Sequence, residues 1–220
     1  MKIVLDTETT GLDKMTNAIL QLAIIDDNGN ELFNKMFKPE EKHFKQKGLQ
    51  YDWGQASEIN NIYPDDVKDC EPIENYKEEI QKILDSADEI LGYNIKFDLG
   101  FLRANGFKIK KETVITDVMK EYSDFVGDKK RFKLSHVCEQ FKYNYQAHDS
   151  LADVKATLVV HQIIAKKLKF RKKMQIISLI ELIIVAFFIY LIVIKLKKTA
   201  PFGRCHFFYS SSSSNSRISA

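Results

Sequence analysis

Between Met174 and Ile194 runs MQIISLIELIIVAFFIYLIVI, 21 residues whose only charge is Glu181. About 20 mostly apolar helical residues match the hydrocarbon thickness of a bilayer, whereas few soluble strands reach this length. Each Ile, Leu, Val or Phe near the centre contributes roughly −0.3 to −0.6 kcal/mol to insertion. Glu181, about a third of the way in, opposes this by about 1–3 kcal/mol. The apolar residues outweigh it, so a transmembrane helix over 174–194 is expected; the alternative is a buried helix of a soluble protein. Lys166, Lys167, Lys169, Arg171, Lys172 and Lys173 precede the run, against Lys195, Lys197 and Lys198 after it. The heavier flank should stay cytoplasmic, beside anionic lipid. These features predict a basic juxtamembrane linker over 166–173 and a single pass through the cell membrane. A disordered tail over 195–220, with SSSSSNS at 210–216, is expected to follow.

The same boundary divides the charge. Residues 1–165 carry 22 Lys/Arg against 29 Asp/Glu, a net −7, and residues 166–220 carry 11 against one, a net +10. The pI of about 8.5 therefore belongs to the tail and says nothing about nucleic-acid binding by the acidic N-terminal part. Cys70, Cys138 and Cys205 are odd in number and widely spaced, which points to a reducing compartment without structural zinc. No secretory signal precedes the first strand.

Residues 1–165 read as one α/β domain. Ile3–Leu5, AILQLAIID (18–26) and ELFNKMF (31–37) read as strands, the last two joined by a DNGN turn. Residues 38–72 read as polar and irregular. Tyr76, Ile80, Ile83 and Leu84 fall on one face of a helix over 74–87. EILGYN (89–94) reads as a strand, and FDLGFLRANG (97–106) as a helix closed by Gly106. VITD (114–117) reads as a strand, and 133–141 and 148–168 as helices. A meander followed by alternating helices and strands implies a mixed sheet flanked by helices.

The chemistry concentrates at strand ends. Asp6 and Glu8, two apart on the first strand, project from one face, and two acids that close stay ionised only beside a cation. Asp98 opens a helix, and Asp153 lies five residues after His148. Singly, Asp98 or Asp153 could serve only the helix dipole, and His148 could be a neighbour of an N-cap. Together the four acids suggest a shared hard cation.

DTETTG (6–11), NIKFDLGFL (94–102) and HDSLAD (148–153) resemble, in order and spacing, the three motifs of the DEDDh 3′–5′ exonucleases. That family includes the proofreading epsilon subunit of bacterial DNA polymerase III and ribonuclease T. The resemblance covers residues 1–165. It implies a ribonuclease H-like fold and two Mg²⁺ or Mn²⁺ ions held by Asp6, Glu8, Asp98 and Asp153. It implies His148 as general base, and nucleic-acid 3′ ends, DNA or RNA, as substrate, with no small-molecule cofactor.

The resemblance also places Thr9, Phe101 and Asn60 near the terminal nucleotide, although core packing is the plainer reading for Leu102. Asn60-Asn61 stands where the best-known polymerase-linked members carry a His-Gly pair. Asn tolerates left-handed backbone geometry, so the loop can survive without an imidazole contact to substrate. Asp117 reads as a helix cap and not a ligand. The run KKRFK (129–133) reads either as a phosphate grip or as a solvated loop. A non-catalytic binding module of the same fold and a polymerase proofreading subunit are the competing expectations.

Overall fold

The computed structural model describes residues 1–40, 53–145 and 149–199. The chain divides into two units, Met1–Phe170 and Arg171–Ala220.

In the first unit five strands form one sheet, in the order β3-β2-β1-β4-β5. They are β1 Lys2–Thr9, β2 Ile19–Asp26, β3 Glu31–Met36, β4 Glu89–Gly92 and β5 Val114–Asp117. β1, β2 and β3 pair antiparallel, while β4 and β5 run parallel to β1. Asp26 fixes the β2–β3 turn by accepting from the amides of Asn28 and Asn30 at 2.9 and 2.8 Å, and Gly29 supplies the φ of 87° that the turn requires.

The helices are α1 Gln55–Asn60, α2 Pro64–Val67, α3 Lys77–Ser86, α4 Lys96–Ala104, α5 Val118–Val126, α6 Leu134–Gln140 and α7 Ser150–Thr199. Side chains alternate across β1, and the alternation builds two cores. Ile3 and Leu5 pack with Ile80 and Leu84 of α3 and Leu99 and Leu102 of α4. Val4 packs on the other face with Val118 of α5, Val137 of α6 and Val154 and Leu158 of α7. The result is a three-layer α/β/α domain.

The parallel partner of β1 is short. β4 pairs only with Lys2–Val4, so the edge of β1 beyond Val4 on that side is open. The chain turns away at Gly92, where a Cβ would lie 3.0 Å from the Leu5 carbonyl and 2.5 Å from Ile95 Cδ1. Only glycine lets the backbones approach this closely. Two residues on, Asn94 adopts φ 63° and delivers the chain into α4.

The predicted strands and the helices over 74–87, 97–106 and 133–141 are all present within a residue or a few. Gly106 closes α4 at φ 83°, and Asp117 caps α5, accepting from Met119 N at 3.1 Å. Two readings need correction or completion. The stretch 38–72, expected to be irregular, holds α1 and α2 in its described part; six- and four-residue helices are too short to show a period. The reading of Asp117 as a cap implies a helix without giving it a span; α5 supplies the span, with Val118, Tyr122 and Phe125 at helical spacing and all in the second core. Residues 166–173, read as a basic juxtamembrane linker, are helical as part of α7.

In the second unit α7 continues to Thr199, and every side chain from Met174 to Val193 is exposed. By length and composition α7 is the one helix, among the described residues, able to cross a membrane. The expected tail beyond Thr199 lies outside the described residues.

Candidate active site

Alternation along β1 decides where each acid goes. Asp6 and Glu8 share the face of Val4, toward α7, whose first turn carries Asp153. Carboxylate oxygens of Asp6, Glu8 and Asp153 lie within 4.8 Å of one another. Thr7 points to the opposite face, toward α4. There Asp98 Oδ1 accepts both the Thr7 amide, at 3.0 Å, and the Thr7 hydroxyl, at 2.7 Å. That amide is available because β4 ends before reaching it. Asp98 thus reaches the open edge of β1 while only 2 % exposed.

The four acids feel one another. Burial raises the Asp6 pKa well above its ordinary value, and the charges of Asp98, Glu8 and Asp153 add to the rise. Burial and Asp153 push Glu8 up to about 7, opposed by a hydrogen bond from Asn60. Burial likewise pushes Asp98 up to about 7 against the two Thr7 hydrogen bonds. Such mutual repulsion is relieved when a cation is bound. The Ser150 hydroxyl is fully buried with no well-formed hydrogen bond, and it faces Asp6 closely enough to temper that rise. A donor set of carboxylates and a hydroxyl suits a hard divalent cation, and the residues present fit such an ion.

Three further side chains hold the set, and the sequence motifs did not identify them. Gln21, opposite Glu8 on β2, donates to Asp149 Oδ1 at 3.2 Å. The Asp149 carbonyl accepts the Asp153 amide at 2.9 Å, so the start of α7 is tied to the sheet. Tyr145 is hydrogen-bonded to the Asp153 carboxylate, and burial together with that charge raises its pKa. His148, the expected general base, lies outside the described residues.

The expected substrate contacts are distributed unevenly. Asn60 is buried at the end of α1, donating to the Thr9 carbonyl at 3.1 Å and accepting from Ile62 N at 3.1 Å. Asn61 adopts φ 56°, so this asparagine pair does hold the left-handed turn. The Thr9 hydroxyl donates to the Gly11 carbonyl at 2.7 Å. Phe101 requires correction. It is 1 % exposed within the first core, its ring tilted against that of Phe97 with 4.9 Å between centroids, and offers no surface to a nucleotide. Phe97, half-buried one position before Asp98, is the accessible aromatic of that helix.

A raised carboxyl pKa makes the cation-free protein pH-sensitive. Asp98 contributes stability that is fully present below its ordinary pKa of 3.8 and lost as pH rises through about 7. Asp98→Asn removes this loss while keeping an acceptor for Thr7. In EDTA, the Tm advantage of the variant over the wild type should be near zero at about pH 4 and grow toward about pH 8. The fluorescence of Trp53, the single tryptophan and 9 % exposed, reports the transition. A Tm difference flat across this range would contradict the electrostatic account.

Four carboxylates meeting at the carboxyl end of the central strand of a mixed sheet, with helices on both faces, define a ribonuclease H-like nuclease fold. Residues 3–160 match the family model described as exonuclease, of the ribonuclease T type. The chain belongs to this DEDD-type 3′–5′ exonuclease family. It is 25 % identical over 157 residues to the PolC-type DNA polymerase III of Lactococcus lactis subsp. lactis (strain IL1403), covering 66 % of this chain and 9 % of that polymerase. The chain therefore spans about a tenth of the length of that relative. Among solved structures it resembles E. coli exonuclease I in complex with a dA16 oligonucleotide, at 19 % identity and a TM-score of 0.59, over 75 % of this chain and 40 % of that one. It also resembles exonuclease X in complex with 5′ overhanging duplex DNA, at 20 % identity and a TM-score of 0.53, over 76 % and 92 %. At these identities the structural likeness shows the fold alone.

Proposed function

We propose that this chain is a metal-dependent 3′–5′ exonuclease that hydrolyses single-stranded DNA or RNA from the 3′ end and is tethered to the membrane through 174–194. The observation that carries the nuclease reading is the convergence of Asp6, Glu8 and Asp153 within 4.8 Å, with Asp98 buried beside them. Asp6, Glu8, Asp98 and Asp153 would hold two Mg²⁺ or Mn²⁺ ions. Bound ions of this kind lower the pKa of a water and stabilise charge on the attacking and leaving oxygens. The chain's own residues supply position and proton handling. Thr7 fixes the Asp98 carboxylate, while Tyr145 and the Gln21–Asp149 contact fix Asp153. His148, on the segment between Tyr145 and Asp149, accepts the proton of the attacking water, a role suited to an imidazole near neutral pH.

The oligonucleotides held by the structural neighbours favour DNA. Matched 5′-labelled single-stranded DNA and RNA, incubated with the chain and Mg²⁺, test the choice; RNA degraded as fast as DNA would overturn that preference. The PolC relative supports a second reading, a polymerase proofreading subunit, whereas the apolar helix after the domain favours the membrane.

The tether has its own test. The full chain should sediment with membranes and resist high salt, because apolar burial and not the basic flank holds it. Replacing Ile184 and Phe188 with Arg should release it, since charges near the bilayer centre are costly. Release of the unaltered chain by salt alone would contradict a spanning helix.

A further inference from the structure

We infer that Arg131 forms a built site for a non-scissile backbone phosphate of the nucleic acid, an inference that rests on the exonuclease reading above. The loop between α5 and α6 carries Lys129, Lys130, Arg131 and Lys133, and three contacts pin it. Ser123 Oγ donates to the Lys130 carbonyl at 2.8 Å, Tyr93 OH donates to the Phe132 carbonyl at 2.6 Å, and Arg131 Nη2 donates to Asn94 Oδ1 at 2.7 Å. The Phe132 ring packs edge-on against Tyr122 and stacks on His136. A solvated loop would show none of these.

The Arg131–Asn94 contact places the charge. The Asn94 amide is held by Asp117 Oδ1 at 3.0 Å, and its carbonyl accepts Phe97 N at 2.9 Å. Asn94 is therefore fixed in the turn that leads into α4, four residues ahead of Asp98 in the chain. Its partner for Arg131 is a neutral amide oxygen. Lys130 faces Asp128 at 3.6 Å, but among the described residues no carboxylate pairs with Arg131. The exposed guanidinium keeps its full charge and most of its donors while one corner is fixed. That arrangement suits bidentate recognition of phosphate. The need is plain, because residues 1–165 carry a net −7, and a polyanion approaches such a surface only where cations are concentrated.

The test uses the full chain in detergent, Mg²⁺ and a 5′-labelled single-stranded DNA oligonucleotide, with KM and kcat measured between about 50 and 200 mM KCl. Arg131→Gln should raise KM about fivefold or more with kcat nearly unchanged, the signature of lost uniform binding. The slope of log KM against log salt should fall by about 0.7, the value for one phosphate on a single strand. Arg131→Lys should keep that slope. Asn94→Gly, which preserves the left-handed backbone, should raise KM less and add nothing to Arg131→Gln. An Arg131→Gln variant with wild-type KM and salt slope overturns the inference, as does one that loses kcat at constant KM. If Arg131→Gln and Arg131→Lys lose activity equally and share a lowered Tm, the residue is structural and the inference also fails. A wild-type chain that leaves the oligonucleotide intact overturns the nuclease reading along with it.

Discussion

Asp6→Asn and Asp153→Asn each lower the rate of 3′-end hydrolysis by about a thousandfold or more, while far-UV circular dichroism and Tm stay near those of the wild type. Both residues would hold the proposed cations, whose electrostatic contribution to such displacements is several kcal/mol, with each 1.4 kcal/mol a factor of ten. The fold should tolerate the changes. Burial and neighbouring charge already disfavour the Asp6 carboxylate, so a neutral amide removes repulsion. Undiminished turnover by either variant would exclude a shared cation site built on these acids.

His148→Ala is expected to lower kcat by about 10²–10⁴-fold, the usual contribution of a positioned base, with much less effect on KM. The sign of the pH effect follows from the role. Only neutral imidazole accepts a proton, so the rate should rise with pH through about 6.5. Glu8 and Asp98 complicate this limb, because both are pushed up to about 7 when no cation is bound. Cations compete with protons for those carboxylates, so raising the Mg²⁺ concentration moves their part of the limb to lower pH. A limb that persists in the wild type at saturating Mg²⁺ and vanishes in His148→Ala identifies the base. Persistence of both rate and limb in the variant would assign the role to another group.

The sequence was most legible where function and local structure coincide. Ile3–Leu5 reads as a strand with two acids on one face at its end, and β1 runs through both acids, from Lys2 to Thr9. Asp117 reads as a cap and caps α5, and Asn61 takes the left-handed geometry its residue type permits. What was not legible depends on contacts distant in sequence. Nothing local to Thr7 announces that its amide is left open by the short β4 and taken by Asp98, 91 residues away. Tyr145 and Gln21 gain their roles only when α7 docks on β2. Phe97 and Phe101 show how little spacing says about which of two aromatics on one helix faces the core. Both are apolar and one turn apart, and only packing makes Phe101 the buried one.

The central claim is that these acids serve hydrolysis from a free 3′ end. Its most direct measurement is the product ladder from a 5′-labelled single-stranded oligonucleotide incubated with the full chain. One arm carries a free 3′-hydroxyl, the other a 3′ end blocked against exonucleases, each in Mg²⁺ and in EDTA. The account requires stepwise shortening of the free-ended strand in Mg²⁺ and no shortening in EDTA or of the blocked strand. Internal cleavage of the blocked strand, or shortening that continues in EDTA, would contradict it.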